Sequence, residues 1–226
     1  MKRKMLSVCF LISLFAGMMV LMSAKAETPV IYNAEDTFEH SEHAMVYIRI
    51  LHKDNTVKAV GSGVILTPEG IAATAYHVIK EAERIEGILY DGRTVGPIEV
   101  LNYDELTDIA VLKLPDPTTN LGDKRDYEII PVRETAVKYG EKVFAMGYPI
   151  ANTPIITEGI INSPKAMVNG RNRILISAQV ASGMSGGPIL DQQGNLAGII
   201  SGSMRTMNNI HLVIDMAALR SVLPTH

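Results

Sequence analysis

Short runs of β-forming residues separated by turn residues recur along most of this 226-residue chain and constrain its fold more than any other feature. The clearest turns are Asp91-Gly92, Asn169-Gly170 and Gly194-Asn195, each between two such runs. Pairs of this kind favour tight hairpins, because the turns need positive φ angles. Roughly a dozen candidate strands at this spacing predict an all-β fold.

Helix signals are few. Residues 76–83 are compatible with a short helical turn, and residues 216–222 are predicted to form a terminal helix. Asp215 is a typical N-cap for that helix, and Pro224 would end it. Polar turn residues near 131–140 separate two strand-rich halves, which we place at 27–135 and 136–226.

Residues 1–26 have the pattern of an export signal. Lys2-Arg3-Lys4 is followed by an uncharged apolar run over 5–24, and Ala24-Lys25-Ala26 matches the small-x-small pattern before a cleavage site. We therefore expect an exported protein, periplasmic or secreted, cleaved near Ala26, whose membrane contact is transient. The alternative is an uncleaved membrane anchor, because about twenty apolar residues can span a bilayer.

Charge and cysteine content exclude several functions. The net charge is −3, and the signal-like segment holds four basic residues and no acid, so the remaining chain is more acidic still. We expect no nucleic-acid partner, because such binding depends on neutralising phosphates. The single cysteine, Cys9, lies in that segment, which leaves no disulfide, thiol nucleophile or zinc–thiolate site beyond it. His40 and His43 lack the order of zinc-protease ligands, and we expect no metal site there.

The most distinctive local motif is the glycine-rich stretch 181–188, Ala-Ser-Gly-Met-Ser-Gly-Gly-Pro. Glycines allow the backbone around Ser185 to adopt unusual dihedrals, so that the N–H groups of Gly183 and Ser185 can converge on a developing oxyanion. An ordinary glycine-rich turn with an incidental serine is the alternative. The nucleophile elbow of α/β-hydrolases is excluded, because Gly186-Gly187-Pro188 is a poor helix start.

A serine nucleophile needs a base, and the base needs an orienting carboxylate. His77 follows an apolar, strand-like run, and Asp108 directly precedes the apolar run 109–112. Each residue also has an ordinary structural explanation: a histidine bonded to a backbone carbonyl, and an aspartate that begins a strand.

Five segments, taken in order, resemble the trypsin-like serine proteases of the HtrA/DegP-like branch: 61–66, 74–79, 108–114, 143–149 and 183–190. The resemblance implies two six-stranded antiparallel β-barrels, a short C-terminal helix and an active site between the barrels. It also implies that the first barrel supplies His77 and Asp108 to this active site and that the second supplies Ser185. The substrates would be proteins or peptides, and no metal or organic cofactor would be required.

The resemblance further implies a substrate pocket. Gln179 would lie at the base of the S1 pocket, and Ser201, Gly202 and Ser203 would line it and pair with the substrate backbone. Because no carboxylate stands at position 179, we expect an uncharged P1 residue of small to medium size.

Three departures from the branch pattern stand out. Met184 replaces the usual Asn or Asp beside the nucleophile, and Tyr148 replaces the usual Asn before Pro149. Too few residues follow Ser185 for a PDZ domain, so we expect a protease domain without one.

The leading hypothesis is therefore an exported serine endopeptidase, with envelope protein quality control as the role that the resemblance suggests. Two alternatives remain. One is a peptide-binding or chaperone-like module that barely cleaves, and the other is an esterase that uses the same residues.

Overall fold

A computed structural model describes residues 30–117, 126–204 and 206–224 of the chain. The elements below all belong to a unit that begins at Ile31. The predicted export signal lies outside the described residues and stays a prediction. Among the helices that are described, none combines the length and apolar character needed to cross a membrane.

The described residues are mostly β, which confirms the predicted fold class. The α-helices are α1 (Ala34–Ser41), α2 (Tyr76–Ile79) and α3 (Met216–Val222). The first seven strands are β1 (Met45–Leu51), β2 (Val57–Ile65), β3 (Ile71–Ala75), β4 (Arg84–Leu89), β5 (Thr94–Val95), β6 (Glu99–Asp104) and β7 (Ile109–Lys113). The other six are β8 (Lys142–Ile150), β9 (Thr153–Val168), β10 (Arg171–Ile176), β11 (Pro188–Asp191), β12 (Leu196–Ser203) and β13 (His211–Ile214).

The first seven strands form an antiparallel sheet rather than the closed six-stranded barrel that was expected. Their order is β5-β4-β1-β2-β3-β7-β6, and no pairing joins the edge strands β5 and β6 among the described residues. The β-forming run that follows Asp91-Gly92 is divided into β5 and β6 at Pro97, which has no N–H to donate to a ladder. The two-residue β5 therefore ends the sheet at this edge.

The last six strands form a closed barrel in the order β10-β13-β12-β11-β8-β9, as predicted for the second half. Its β9–β10 hairpin turns at Asn169 and Gly170, whose φ angles are +50° and +76°. These positive values match the two-residue turn expected from the sequence.

The Asp91-Gly92 turn differs from the prediction. Only Gly92 has a positive φ, +82°, whereas the expected turn type needs positive φ at both central residues. The N–H of Leu89 bonds the carbonyl of Arg93, and the N–H of Gly92 bonds the carbonyl of Leu89. The loop between β4 and β5 is therefore longer than a two-residue turn.

The terminal helix α3 has the predicted bounds. The Asp215 side chain accepts the N–H of Ala218 at 2.8 Å, and Leu219 is fully buried in the core shared by both halves. Helix α1 was not predicted, although its start carries a capping box in which Asn33 and Asp36 bond each other's backbone N–H.

The proposed division at residue 135 falls between β7, which ends at Lys113, and β8, which begins at Lys142. The connecting segment already contacts the barrel before that point. Val132 forms a parallel bridge with Leu196, whose N–H bonds the carbonyl of Pro131 at 2.8 Å. The domain bounds remain a prediction.

Candidate active site

His77 is positioned by the turn from β3 into the short helix α2. Strand β3 is buried, and its burial fixes the point at which the chain emerges into helix α2. The backbone N–H of His77 donates to Oδ1 of Asp108 at 3.0 Å, and its Nδ1 lies 3.0 Å from Oδ2. The imidazole is thus held by its Nδ1 side, while 47% of the side chain remains exposed.

Asp108 stands immediately before β7 with a φ angle of +65°, a value that Asp tolerates better than most residues. Its carbonyl accepts the N–H of Tyr76 at 2.8 Å, and its carboxylate accepts the N–H of His77, so Asp108 binds two free donors at the start of α2. The side chain is only 7% exposed. The unusual backbone angle is therefore stabilised by several bonds.

Burial acts to raise the pKa of Asp108, but other interactions outweigh it. Hydrogen bonds from His77 and Ser201, together with the charge interaction with His77, hold the pKa of this carboxyl below its usual value. Asp108 is consequently a carboxylate at neutral pH, suited to orient the ring of His77 and to stabilise it when protonated.

Ser185 lies in the loop between β10 and β11. The N–H of Met184 bonds the carbonyl of Ala181 at 3.1 Å and closes a turn in which Gly183 has a φ angle of +92°. The N–H groups of Gly183 and Ser185 make no hydrogen bond to any described residue. Two backbone donors beside the serine hydroxyl are therefore available to a ligand.

Ser201 on β12 connects the three residues. Its hydroxyl donates to Oδ2 of Asp108 at 2.6 Å, and its carbonyl accepts the Ser185 hydroxyl at 3.4 Å. No hydrogen bond joins the Ser185 hydroxyl to His77, both of which lie in the described part of the chain. In this state the serine hydroxyl donates to β12, and its proton would have to be redirected before His77 could accept it.

The structure gives other partners to two of the predicted pocket residues. Gln179 is exposed and donates from Nε2 to Asn209 at 3.1 Å. The Ser203 hydroxyl lies 2.8 Å from Nδ1 of His211, which is buried. The substrate-binding roles of Gln179, Ser201, Gly202 and Ser203 stay predictions.

The two substituted positions, Met184 and Tyr148, are both buried. Met184 packs inside the barrel, and its sulfur accepts the N–H of Ala181 at 3.3 Å. The phenol of Tyr148 has no hydrogen-bond partner in the part of the chain that the structure describes. Burial, followed by the charge of Glu42 and by Tyr90, raises its pKa to about 12. Tyr148 also lines a cavity of about 340 Å³ between β1, β4 and β8.

No group of three or more His, Cys, Asp or Glu side chains with metal-binding spacing occurs within the described ranges. The arrangement of His77, Asp108 and Ser185 suits nucleophilic and general acid–base chemistry by amino-acid side chains alone.

Sequence reasoning missed two hydroxyl groups. The bond from the Ser201 hydroxyl to Asp108 was not predicted, and the substrate contact predicted for Ser201 stays a prediction. Ser62 lies in the segment 61–66 that carries part of the family resemblance, but its bond was not predicted; it is fully buried and bonds the Gly183 carbonyl at 2.8 Å. The signal that could have found Ser62 is a polar residue within the apolar run of β2, since a buried hydroxyl requires a partner.

Known proteins resemble this chain in sequence. The family model for the trypsin-like peptidase domain matches residues 61–199. The serine endoprotease DegS of Escherichia coli is 34% identical over 182 residues, covering 76% of this chain and 49% of DegS. Protease Do-like 1 of Arabidopsis thaliana chloroplasts is 30% identical over 218 residues, covering 85% of this chain and 48% of that protein.

A solved structure also resembles this one. The serine endoprotease from Yersinia pestis superposes with a TM-score of 0.71 at 28% identity, covering 86% of this chain and 66% of the other. The fold and the site define a trypsin-like architecture with a serine-centred candidate site. This chain belongs to the trypsin-like peptidase domain family, as the sequence resemblance predicted. It spans about half the length of the curated relatives it matches.

Proposed function

We propose that this chain is a serine endopeptidase in which Ser185 is the nucleophile, His77 the general base and then acid, and Asp108 the residue that orients His77. The observation that carries the proposal is the hydrogen-bonded chain from His77 through Asp108 and Ser201 to Ser185. It is supported by the two unoccupied N–H groups of the serine loop.

The proposed reaction begins when the Ser185 hydroxyl turns toward His77. Its proton passes to Nε2 of His77 while its oxygen bonds the carbonyl carbon of the substrate peptide. The negative oxygen that results is stabilised by the N–H groups of Gly183 and Ser185. Asp108 stabilises the imidazolium through Nδ1, at the 3.0 Å contact described above.

His77 then gives its proton to the leaving amine, and the C–N bond breaks to leave an acyl group on Ser185. A water molecule repeats the sequence: it loses a proton to His77, attacks the acyl carbon and releases the carboxylic acid product as Ser185 regains its proton. No step in this scheme requires a metal or an organic cofactor.

The wider role follows from the relatives. DegS is named a serine endoprotease, and a Pseudomonas savastanoi relative is named a probable periplasmic serine endoprotease. Together with the signal-like N-terminus, these names support an exported protease that acts on protein or peptide substrates in the cell envelope. Quality control of envelope proteins is the role we propose, with cleavage of the signal near Ala26.

Digestion of casein by the wild-type protein, Ser185→Ala and His77→Ala tests the mechanism. We expect hydrolysis by the wild type and losses of several orders of magnitude in kcat for both variants, with unchanged circular dichroism. Near-normal turnover by either folded variant would refute the assignment.

A second candidate is a peptide-binding module with little activity. The hydrogen bond from the Ser185 hydroxyl to the Ser201 carbonyl favours it, because a proton donated to that carbonyl is not donated to the base. Binding of unfolded casein with equal, negligible cleavage by wild type and Ser185→Ala would support this candidate. Hydrolysis of small esters with no cleavage of any protein would instead indicate an esterase.

A further inference from the structure

Ser62 is a fully buried polar residue on β2 whose backbone and side-chain groups are all hydrogen-bonded. Its N–H donates to the Ser185 carbonyl at 2.8 Å, and its carbonyl accepts the Thr74 hydroxyl at 2.8 Å. Its own hydroxyl lies 2.9 Å from the N of Tyr148 and 2.8 Å from the carbonyl of Gly183. One side chain therefore links the first sheet to two segments of the second half.

The direction of the hydroxyl bonds is fixed by chemistry. The N–H of Tyr148 can only donate, so the Ser62 oxygen accepts there, and its single proton is left for the Gly183 carbonyl. Removal of the hydroxyl would leave that N–H and that carbonyl without their partner in a buried site, which costs more than the bond alone.

The bonded carbonyl lies between the two free donors of the serine loop. The peptide that joins Gly183 to Met184 is held at both ends: its oxygen by Ser62 and its N–H by the Ala181 carbonyl. On one side of this peptide is the free N–H of Gly183, and on the other is the free N–H of Ser185. Ser62 also holds the carbonyl of Ser185, two residues after Gly183, through its own N–H.

The loop needs this restraint because of its glycine. Gly183 has no Cβ and rotates between positive and negative φ at little cost, so its own stereochemistry does not fix the neighbouring peptides. An external hydrogen bond to the following peptide restricts that rotation. A different orientation of the loop would move one of the two donors away from the place where the substrate oxyanion forms.

We propose that Ser62 is a positioning residue: its hydroxyl, bonded between Tyr148 and Gly183, keeps the N–H groups of Gly183 and Ser185 convergent and available for the oxyanion. The proposal rests on the serine protease function proposed above. Ser62 touches no reacting atom and acts only through the loop. Ser62 also accepts a hydrogen bond from Thr74 on β3, the strand that leads to His77. Ser62 therefore connects that strand to the serine loop.

Ser62→Ala tests the proposal, with Ser41→Ala as the matched control. Ser41, in α1, is also fully buried, but its hydroxyl has no partner among the described residues. In Ser62→Ala the backbone bond from β2 to the Ser185 carbonyl is retained. Ser62→Cys retains a weaker donor of similar size and serves if the alanine variant fails to fold.

The first measurement does not depend on turnover. Amide hydrogen exchange by NMR should show the Tyr148 N–H exchanging at least about tenfold faster in Ser62→Ala, because that N–H has lost its acceptor, with a changed carbonyl ¹³C shift at Gly183. Ser41→Ala should match the wild type. If the Tyr148 exchange rate and the Gly183 shift are unchanged in Ser62→Ala, the Ser62 hydroxyl does not hold these two groups. That result would overturn the proposal whether or not the protein is an enzyme.

The second measurement is hydrolysis of a casein-derived peptide that the wild-type protein cleaves. We expect kcat to fall about ten- to hundredfold in Ser62→Ala with KM within about twofold, and part of kcat to return in Ser62→Cys, because the oxyanion donors act in the transition state. A kcat within twofold of wild type, or a rise in KM alone, overturns the positioning role. Complete inactivity of the wild type would refute the proposed function instead. The exchange experiment would still show whether the Ser62 hydroxyl bonds Tyr148 and Gly183.

Discussion

Ser201 donates its hydroxyl to the Asp108 carboxylate over 2.6 Å, and the two residues lie 93 positions apart in the chain. The bond joins β12 of the barrel to the residue that precedes β7 of the first sheet. The Asp108 carboxylate therefore has three donors, two from His77 and one from Ser201. Its orientation depends on both halves of the molecule.

Removal of the Ser201 hydroxyl should weaken catalysis without abolishing it. In Ser201→Ala the carboxylate keeps its bonds to His77 but loses a short hydrogen bond to a charged group, a loss of about 1.5–3 kcal/mol at most. We expect kcat to fall about tenfold with a small change in KM, and the pKa of Asp108 to rise. Ser221→Ala, which removes an exposed hydroxyl from α3, is the control; equal kcat values in the two variants would contradict the prediction.

Sequence reasoning predicted the features that depend on residues close together in the chain and missed those that depend on residues far apart in it. The α3 helix depends on Asp215 and its near neighbour Ala218, and the β9–β10 turn depends on Asn169 and Gly170, so both could be predicted. The edge of the first sheet depends on which strands meet in space. No periodicity in the chain records that pairing, and among the described residues the first half is an open half-barrel rather than a closed one.

The same distinction holds at the site. Residue type and local context singled out His77, Asp108 and Ser185, because their chemistry is unusual beside apolar strands and glycines. The hydroxyl of Ser62 bonds a carbonyl 121 positions away, and that of Ser201 a carboxylate 93 positions away. Serine is common in ordinary turns and strands, so its identity alone did not indicate these bonds.

Asp108→Asn should reduce kcat by several orders of magnitude, about 10⁴ where such a residue fixes a catalytic imidazole. The neutral amide cannot stabilise the imidazolium, and it presents one acceptor oxygen where the carboxylate presents two. The measurement is kcat on the peptide substrate, with active-site labelling by a fluorophosphonate. Retention of more than about a tenth of wild-type kcat would contradict the orienting role.

The pKa of Asp108 also predicts how stability depends on pH. Burial raises this pKa, but the interactions with His77 and Ser201 lower it by more. The folded-state pKa therefore lies below the ordinary 3.8. Such a carboxyl stabilises the fold above pH 3.8, and its contribution disappears as the pH falls through the folded-state value. Urea unfolding at pH 7 and pH 3 should show a larger loss of free energy in the wild type than in Asp108→Asn.

Gly183→Ala should damage the site through its backbone. The added Cβ would lie 2.4 Å from the Tyr148 carbonyl oxygen, and the φ angle of +92° is unfavourable for alanine. We expect loss of measurable activity and weaker binding of a peptide boronate. Gly170→Ala is the control, because its φ of +76° carries a similar backbone strain of about 1–2 kcal/mol with nothing within 4 Å of the new Cβ. Similar activities of the two variants would contradict the predicted clash.

His211 should make the barrel sensitive to mild acid. The ring is 5% exposed, its Nδ1 lies 2.8 Å from the Ser203 hydroxyl, and its Nε2 has no partner in the described residues. Burial lowers the pKa of His211 below 6.5, so the folded state favours the neutral ring. Stability from this residue is complete above pH 6.5 and falls as the pH drops below it, by at most about 1.4 kcal/mol per pH unit.

Urea unfolding of wild type and His211→Gln at pH 5.0, 6.0, 7.5 and 8.5 measures the effect. The two proteins should have parallel stability between pH 7.5 and 8.5 and diverge below pH 6.5, where only in the wild type does the unfolded chain bind a proton at position 211 that the folded chain does not. Parallel curves down to pH 5.0 would mean that the ring becomes hydrated or finds a partner when it is protonated.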